Sequence, residues 1–294
     1  MLMNDQVISF EPGTSFTVGS IDDVSVKKYN IGNEFFTSDS LAIEEPLEIR
    51  LAFKESSEKI LRNISVTMRT PGHDNELAVG FLFTEGIIND QSDIESVISL
   101  ACGDGQSNTI TVHLKDHAQP AFNGIERNFY TTSSCGVCGK TSIQSIKTVS
   151  KFDSPLLEKI KISREAIYNL PVLLRKYQLV FSTTGGLHAS ALFNMQGEFL
   201  YLREDVGRHN ALDKLIGKAI SEASLPLNEH ILLLSGRASF ELIQKAAMAG
   251  IRFVVAIGAP SSLAVKLAKE FNITLIGFLR NKSFNLYNGE LQLN

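Results

Sequence analysis

No apolar run in this sequence reaches the roughly eighteen residues that a membrane-spanning helix requires, so the chain reads as free of such spans. Cysteine is scarce, with three in 294 residues, which excludes the disulfide framework of a small secreted domain. A chain of this length buries enough surface to fold without a covalent or metal staple. Neither sign of charge prevails: 28 Lys and Arg stand against 32 Asp and Glu, a net charge of −4. Global attraction to nucleic acid or anionic lipid is therefore absent, and any anion site must be local. There is no Walker or GxGxxG pattern, no internal repeat and no low-complexity tract. The opening stretch MLMNDQVISFEPG has no basic start, apolar core or small-residue cleavage pattern, so the expectation is a cytoplasmic protein.

What is present divides near residue 150. The expected organisation is a mainly β region over 1–150, ending in a Cys-x-x-Cys loop, followed by an α/β domain over 151–294. In the first region PLEIRLAF (46–53), NISVTMRT (63–70) and NTITVHLK (108–115) alternate or are enriched in strand formers. HDNELAVGFLFTE (73–85) interrupts them as a helix that Asp74 or Asn75 could cap. TSIQSIKTV predicts a helix directly after the cysteines.

In the second region SREAIYNLPVLLRKY (163–177) predicts a helix capped by Ser163, with a kink or break at Pro171. LHASALF (187–193) and EFLYLRE (198–204) predict a strand pair. NALDKLIGKAIS predicts a helix with Asn210 and Asp213 in capping-box-like spacing and Leu212, Leu215, Ile216 and Ala219 on one face. The last third repeats strand, loop and helix: HILLLSG then ASFELIQKAAMAG, RFVVAIG then PSSLAVKLAKEF, and finally ITLIGFL. Continuous apolar strands between amphipathic helices are what a parallel sheet buried on both faces requires.

Ligands of open α/β sheets settle outside the carboxyl ends of the strands. SGRAS (235–239), IGAPSS (257–262) and GFLRNK (277–282) lie at such ends. Their glycines and hydroxyls, with Arg237, Arg280 and Lys282, would suit a phosphorylated ligand, although ordinary turns with solvated arginines would look the same. STTGGLHAS (182–190) and REDVGRHNALDK (203–214) are also crowded with polar groups, including His188 and His209. The plain alternative is a solvated network in which Glu204 and Asp205 pair with Arg203 and Arg208.

Cys135 and Cys138, in SSCGVCGK, leave three chemistries open. A structural zinc needs about four ligands, and Cys102 with a histidine would have to complete the set. A thiol–disulfide oxidoreductase would place its pair at a helix start inside the α/β core, whereas here it precedes that region. A persulfide carrier needs an accessible thiolate, which Lys140 and a helix start favour.

SSCGVCGK, REDVGRHNALDKLIG, FSTTGGLHASALF, SGRASFELIQKAA, GAPSSLAVKLA and TPGHDNELAVGFLFTEGII together resemble the FdhD/NarQ family, in that family's order and from about residue 45 onward. The resemblance implies a sulfurtransferase-type carrier that accepts sulfur from a cysteine desulfurase as a persulfide. It would pass the sulfur to the molybdenum cofactor, Mo-bis(molybdopterin guanine dinucleotide), before insertion into formate dehydrogenase. By position Cys135 matches the persulfide-bearing cysteine, with Cys138 its partner. Gly277, Phe278, Leu279, Arg280, Asn281 and Lys282 match the cofactor-binding segment, which GDP or a similar guanine nucleotide could also occupy. The resemblance also implies a C-terminal domain similar to the cytidine deaminase fold. The deaminase zinc motif is incomplete, since His188-Ala189-Ser190 lacks its glutamate and the Cys-x-x-Cys lies upstream of it, so deaminase activity is not expected; with no second Cys-x-x-Cys in the chain, no structural metal is expected either. A homodimer is expected of a carrier for a two-pterin cofactor, with no nucleic-acid or membrane partner. A cofactor-holding chaperone without sulfur transfer is the alternative function.

Overall fold

The computed structural model describes residues 19–100, 108–122, 152 and 159–294. Cys102, Cys135, Cys138 and the helix expected over TSIQSIKTV lie outside them. β1 (Ile21–Asn30) and β2 (Asn33–Ala42) form a separate antiparallel hairpin. β3 (Glu45–Glu55) and β4 (Glu58–Arg69) form a second, turning at Ser56 and Ser57, both at positive φ. After α1 (Asp74–Thr84) come β5 (Ile94–Leu100) and β6 (Thr109–Leu114), and β6 adds to β3 in parallel to give the order β4-β3-β6-β5. The strands expected over 46–53, 63–70 and 108–115 are β3, β4 and β6. Leu47, Ile49, Leu51 and Phe53 alternate into the core from β3, as a sheet covered on one face requires.

The second half runs β7 (Ile160–Ile162), α2 (Arg164–Tyr177), α3 (Leu179–Thr184), β8 (His188–Asn194), β9 (Phe199–Asp205), α4 (Arg208–Ser221), β10 (His230–Leu234), α5 (Phe240–Met248), β11 (Phe253–Ala256), α6 (Ser262–Glu270), β12 (Thr274–Arg280), β13 (Ser283–Asn288) and β14 (Leu291–Leu293). Its six-stranded sheet has the order β13-β12-β11-β10-β8-β9. β10, β11 and β12 are parallel as expected, but the flanking pairs are antiparallel, so the sheet is mixed. β14 pairs with β7 in parallel.

The sheet separates two apolar layers. Leu232 and Leu234 of β10 face a large core shared with α1, α4, α5, α6 and the four-stranded sheet. Ile231 and Leu233 face a smaller one closed by Ile167, Leu170 and Leu174 of α2. One buried cluster thus runs from Leu47 to Leu275 across both halves of the chain.

Three local expectations are corrected. Neither Asp74 nor Asn75 caps α1: His73 occupies the N-cap position without a side-chain cap, because the Asp74 carboxylate accepts from Arg69 Nε and Nη2, both at 3.0 Å. α2 begins as expected, with Ser163 Oγ accepting from Ala166 N at 3.0 Å, but continues unbroken through Pro171. Burial of Ile167, Leu170 and Leu174 on one stripe outweighs the single N–H that proline withdraws. α4 starts two residues before the expected cap, at Gly207–Arg208, leaving Asn210 and Asp213 inside the helix with other partners.

α1 and α4 meet backbone to backbone. A Cβ on Gly80 would stand 1.9 Å from Asp213 O, and one on Gly217 would stand 1.9 Å from Glu76 O. Only glycine admits that approach. Among the described residues no helix is long and apolar enough to cross a membrane.

Candidate functional site

The carboxyl ends of β10, β11 and β12 are stitched to one another. Gly258 N donates to Gly236 O at 2.9 Å, and Phe278 N donates to Gly258 O at 3.1 Å. Ala238 N donates to Ala259 O at 3.2 Å, and Ser261 N returns to Ala238 O at 3.0 Å. SGRAS, GAPSS and the start of GFLRNK therefore form a continuous seam. Its glycines serve the seam: a Cβ on Gly258 would meet Gly236 O at 2.9 Å, and one on Gly277 would meet Pro260 Cδ at 2.8 Å. Open room for a phosphate is not what these two positions provide.

The β8 strand, antiparallel to β10, carries His188 to the same edge, where its Nδ1 would lie 3.4 Å from a Cβ on Gly236. Burial pushes the His188 imidazole below its usual range, Arg208 adds to this, and Asp205 partly opposes it. The ring is thus neutral at pH 7 and carries one donor and one acceptor nitrogen. On the first turn of α4, His209 Nε2 lies 3.5 Å from Ser239 Oγ and 3.9 Å from Glu241 Oε2. His188, Arg208, His209 and exposed Arg237 therefore gather at one edge of the sheet.

The groups behind this edge are not a solvated network. Arg203 is buried and its Nε and Nη2 donate to Glu76 at 2.5 and 2.7 Å, a bidentate pair from β9 to α1. Burial pushes the Glu76 carboxyl up, but Arg203 and His73 outweigh it and hold it at about 2. Glu204 accepts from Phe181 N at 2.9 Å and Val180 N at 3.1 Å, capping the first turn of α3. Burial raises its carboxyl, and these two N–H groups oppose the rise.

Asp205 is fully buried and bonds in four directions: to Lys214 Nζ at 2.7 Å, Thr70 N at 3.2 Å, Gly207 N at 2.8 Å and Asn210 Nδ2 at 3.1 Å. Lys214 also donates to Thr70 O at 2.8 Å. The end of β4 is thereby fastened to the turn that presents Arg208 and His209.

Sequence reasoning missed Lys214, Thr70 and a second buried pair, in which Lys245 Nζ reaches Asp213 Oδ2 at 3.0 Å and Thr84 Oγ1 at 2.8 Å. Burial pushes the Asp213 carboxyl up to about 6 against the pull of Lys245. Burial lowers the Lys245 ammonium, but Asp213 and Glu85 outweigh this and raise it. One signal was available: Asp213 and Lys214 interrupt the apolar face of ALDKLIG, where charges without partners would not be tolerated.

GFLRNK is not the open strand-end loop that the sequence suggested. Gly277 to Arg280 lie within β12, and Asn281 and Lys282, with φ of 50° and 54°, make the tight turn into β13. Leu279 is buried in the smaller core and Gly277 serves the seam. Phe278 and Arg280, with Ser283, Phe284 and Asn285, line a shallow open cavity of about 310 Å³. The Arg280 guanidinium stands 5.7 Å from the Phe278 ring centroid. Of the six residues, Phe278, Arg280, Asn281 and Lys282 present atoms to solvent.

The model of the FdhD/NarQ family matches residues 42–294. A Streptomyces coelicolor protein called sulfur carrier protein FdhD is 48% identical over 255 residues, covering 85% of this chain and 88% of that protein. A Saccharolobus solfataricus protein of the same name is 41% identical over 270 residues, covering 90% and 96%. Among solved structures, that of a candidate formate dehydrogenase accessory protein from Desulfotalea psychrophila superposes with a TM-score of 0.65 at 23% identity, covering 92% of this chain and 97% of that one, a likeness of fold.

Proposed function

The chain belongs to the FdhD/NarQ family, and from that premise we propose that it is a cytoplasmic sulfur carrier serving formate dehydrogenase. The observation that carries the reading is the near half identity to proteins named as sulfur carriers across most of the chain. The Cys135–Cys138 pair stands in a glycine-rich segment suited to that chemistry.

Cys135 thiolate attacks the outer sulfur of a cysteine desulfurase persulfide. The donor's S–S bond breaks, the desulfurase leaves as a thiolate, and Cys135 becomes the persulfide with no net oxidation. The acceptor, Mo-bis(molybdopterin guanine dinucleotide), is a substrate here. Cys138 thiolate can attack the inner sulfur of Cys135, expelling the outer atom as hydrosulfide and leaving a Cys135–Cys138 disulfide.

Arg280 and Lys282 meet the diphosphate of the guanine dinucleotide, and Phe278 offers a ring face to the base. The seam that joins Gly236, Gly258 and Phe278 supports this reading, because it holds the β12 end against its neighbours and lets the cavity stand preformed. That the C-terminal α/β domain is similar to the cytidine deaminase fold is part of the same proposal.

Mass spectrometry of the protein incubated with a cysteine desulfurase and cysteine is expected to show a gain of about 32 Da, one sulfur atom, on the peptide containing Cys135. Cys135→Ala is expected to lose the adduct and to leave formate dehydrogenase inactive. Sulfur still arriving on that peptide, or an active enzyme matured by the variant, would overturn the assignment; the second outcome would leave a cofactor-holding chaperone.

For the cavity, Arg280→Ala is expected to weaken GDP binding about tenfold by calorimetry, the loss of one charge-assisted hydrogen bond. Unchanged affinity would remove the ligand from this end of β12.

A further inference from the structure

The cavity at the end of β12 has a strained residue in its wall. Between the opposed pairs Gly277–Asn285 and Arg280–Ser283, β12 supplies two residues, Phe278 and Leu279, and β13 supplies one, Phe284. That arrangement is a β-bulge, a device that re-aims side chains. Leu279 stays in the smaller core, whereas Phe278 lines the cavity and takes a φ of 54°. A bulky residue adopts that conformation only where its surroundings enforce it. Here Phe278 N is tied to Gly258 O at 3.1 Å.

Aromatic walls hold a flat ring, but stacking accepts every base alike. Selection between bases needs hydrogen-bonding groups at the edge of the ring. Of the five lining residues, Phe278 and Phe284 offer none. The Ser283 hydroxyl donates its one proton to Arg280 O at 2.9 Å. Arg280 can only donate, and its cation belongs with phosphate oxygens. Asn285 is thus the lining side chain with both a donor and an acceptor to spare.

Its place along the ribbon suits that task. Asn285 stands at the seam end, opposite Gly277; Phe278 and Phe284 come next; Arg280 and Ser283 stand at the turn with Lys282. From Lys282 to Asn285 the strand advances about 10 Å, the scale of a nucleoside diphosphate. A nucleotide laid along the ribbon with its phosphates at the turn sets its base over the aromatic pair and the far edge of the base against Asn285.

The carboxamide is also oriented. Asn285 Nδ2 donates to Tyr287 Oη at 3.5 Å, and Oδ1 has no partner among the described residues. The Tyr287 ring is packed against the strand, since a Cβ on Gly277 would stand 2.9 Å from its Cε2. An open Oδ1 seeks donors. Guanine presents N1–H and its N2 amino group side by side, whereas adenine presents a lone pair at N1 and a C–H beside it. Guanine therefore bonds to Oδ1, and adenine sets lone pair against lone pair.

We propose that Asn285, held in place by Tyr287, selects guanine over adenine in this cavity. Both residues lie beyond Gly277 to Lys282, the segment to which the ligand is otherwise assigned. The inference rests on the reading that a guanine nucleotide occupies the cavity.

Calorimetry of the full-length chain with GDP, inosine diphosphate and ADP tests it. The wild type is expected to bind GDP at least about tenfold more tightly than ADP, with inosine diphosphate between them because it lacks the N2 amino group. Asn285 is exposed, so its substitution spares the fold. Asn285→Ala is expected to bring GDP down to the ADP value and to leave ADP unchanged. Asn285→Asp keeps the acceptor and is expected to keep the preference for GDP. Tyr287→Phe retains the packed ring but frees the amide to turn Nδ2 toward the base, so ADP is expected to tighten and the preference to narrow.

A wild type that binds GDP and ADP equally would overturn the proposal. So would an Asn285→Ala variant that keeps the wild-type preference; if its GDP binding still depends on Arg280, the cavity reading stands and only the role of Asn285 falls. Asn285→Asp behaving like Asn285→Ala would refute recognition through Oδ1, and an unchanged preference in Tyr287→Phe would remove the tyrosine from the proposal. GDP that fails to bind, or that binds without regard to Arg280, would overturn the cavity reading and this inference together.

Discussion

Gly80→Ala is expected to lower the unfolding free energy by about 4 kcal/mol and the melting temperature by roughly 10 °C. The added Cβ would arrive 1.9 Å from Asp213 O and 2.7 Å from Asp213 C, both rigid backbone atoms of α4. No rotamer can relieve a Cβ clash, so α1 and α4 must move apart. That motion loosens the large core on both sides and stretches the bidentate Arg203–Glu76 pair, which spans from β9 to α1. Gly217→Ala is expected to act alike, because its Cβ meets Glu76 O at 1.9 Å. Gly186→Ala is the internal control: its Cβ finds Ala42 Cβ at an ordinary 3.7 Å, and its effect should stay within about 0.5 kcal/mol. Urea unfolding of the three variants with unchanged m-values provides the measurement. An effect at Gly80 no larger than at Gly186 would mean that the two helices do not meet as described.

Lys214→Met is expected to cost about 3–5 kcal/mol, because it removes the partner of a buried charge rather than a surface ion pair. Lys214 and Asp205 side chains are 1% and 0% exposed. Methionine retains the apolar stem but abandons the Asp205 carboxylate and the Thr70 carbonyl together. Asp205→Asn in the same background replaces the orphaned charge with a neutral amide and is expected to recover a substantial share of the loss. The double-mutant cycle, followed by urea unfolding, separates the coupling of the pair from the individual truncations. Equal losses for the single and double variants would show that Asp205 is satisfied by its N–H donors alone. Even where Lys214→Met remains folded, the turn carrying Arg208 and His209 loses its anchor to β4. GDP affinity measured alongside stability tells whether the strand-end edge and the β12 cavity share that support.

Much of the fold could be read from one sequence because its signals are local. The alternation of Leu47, Ile49, Leu51 and Phe53, the Ser163 cap and the apolar strands of 230–280 each declare themselves within a few residues. The misreadings at Asp74, Asn210 and Asp213 share one cause. All three are good capping residues, but each spends its side chain on a partner elsewhere in the tertiary structure: Arg69, the Met68 carbonyl and Lys245 respectively. Sequence also suggested a solvated quartet of Arg203, Glu204, Asp205 and Arg208, because nothing local reveals that Glu76 and Thr70, more than a hundred residues earlier, lie opposite them.

The glycine contact between α1 and α4 has a consequence for synthesis. α1 is complete about 120 residues before the end of the chain reaches α4, the surface that receives it. At ordinary elongation rates that gap lasts on the order of ten seconds. During it Leu77, Leu82 and Phe83 have only the four-stranded sheet to lie on, and Gly80, stripped of its neighbour, weakens the very helix it later allows to dock. The face of α1 that docks on α4 therefore has no partner until α4 emerges. Slow translation of the intervening stretch would lengthen that vulnerable interval without altering the finished molecule.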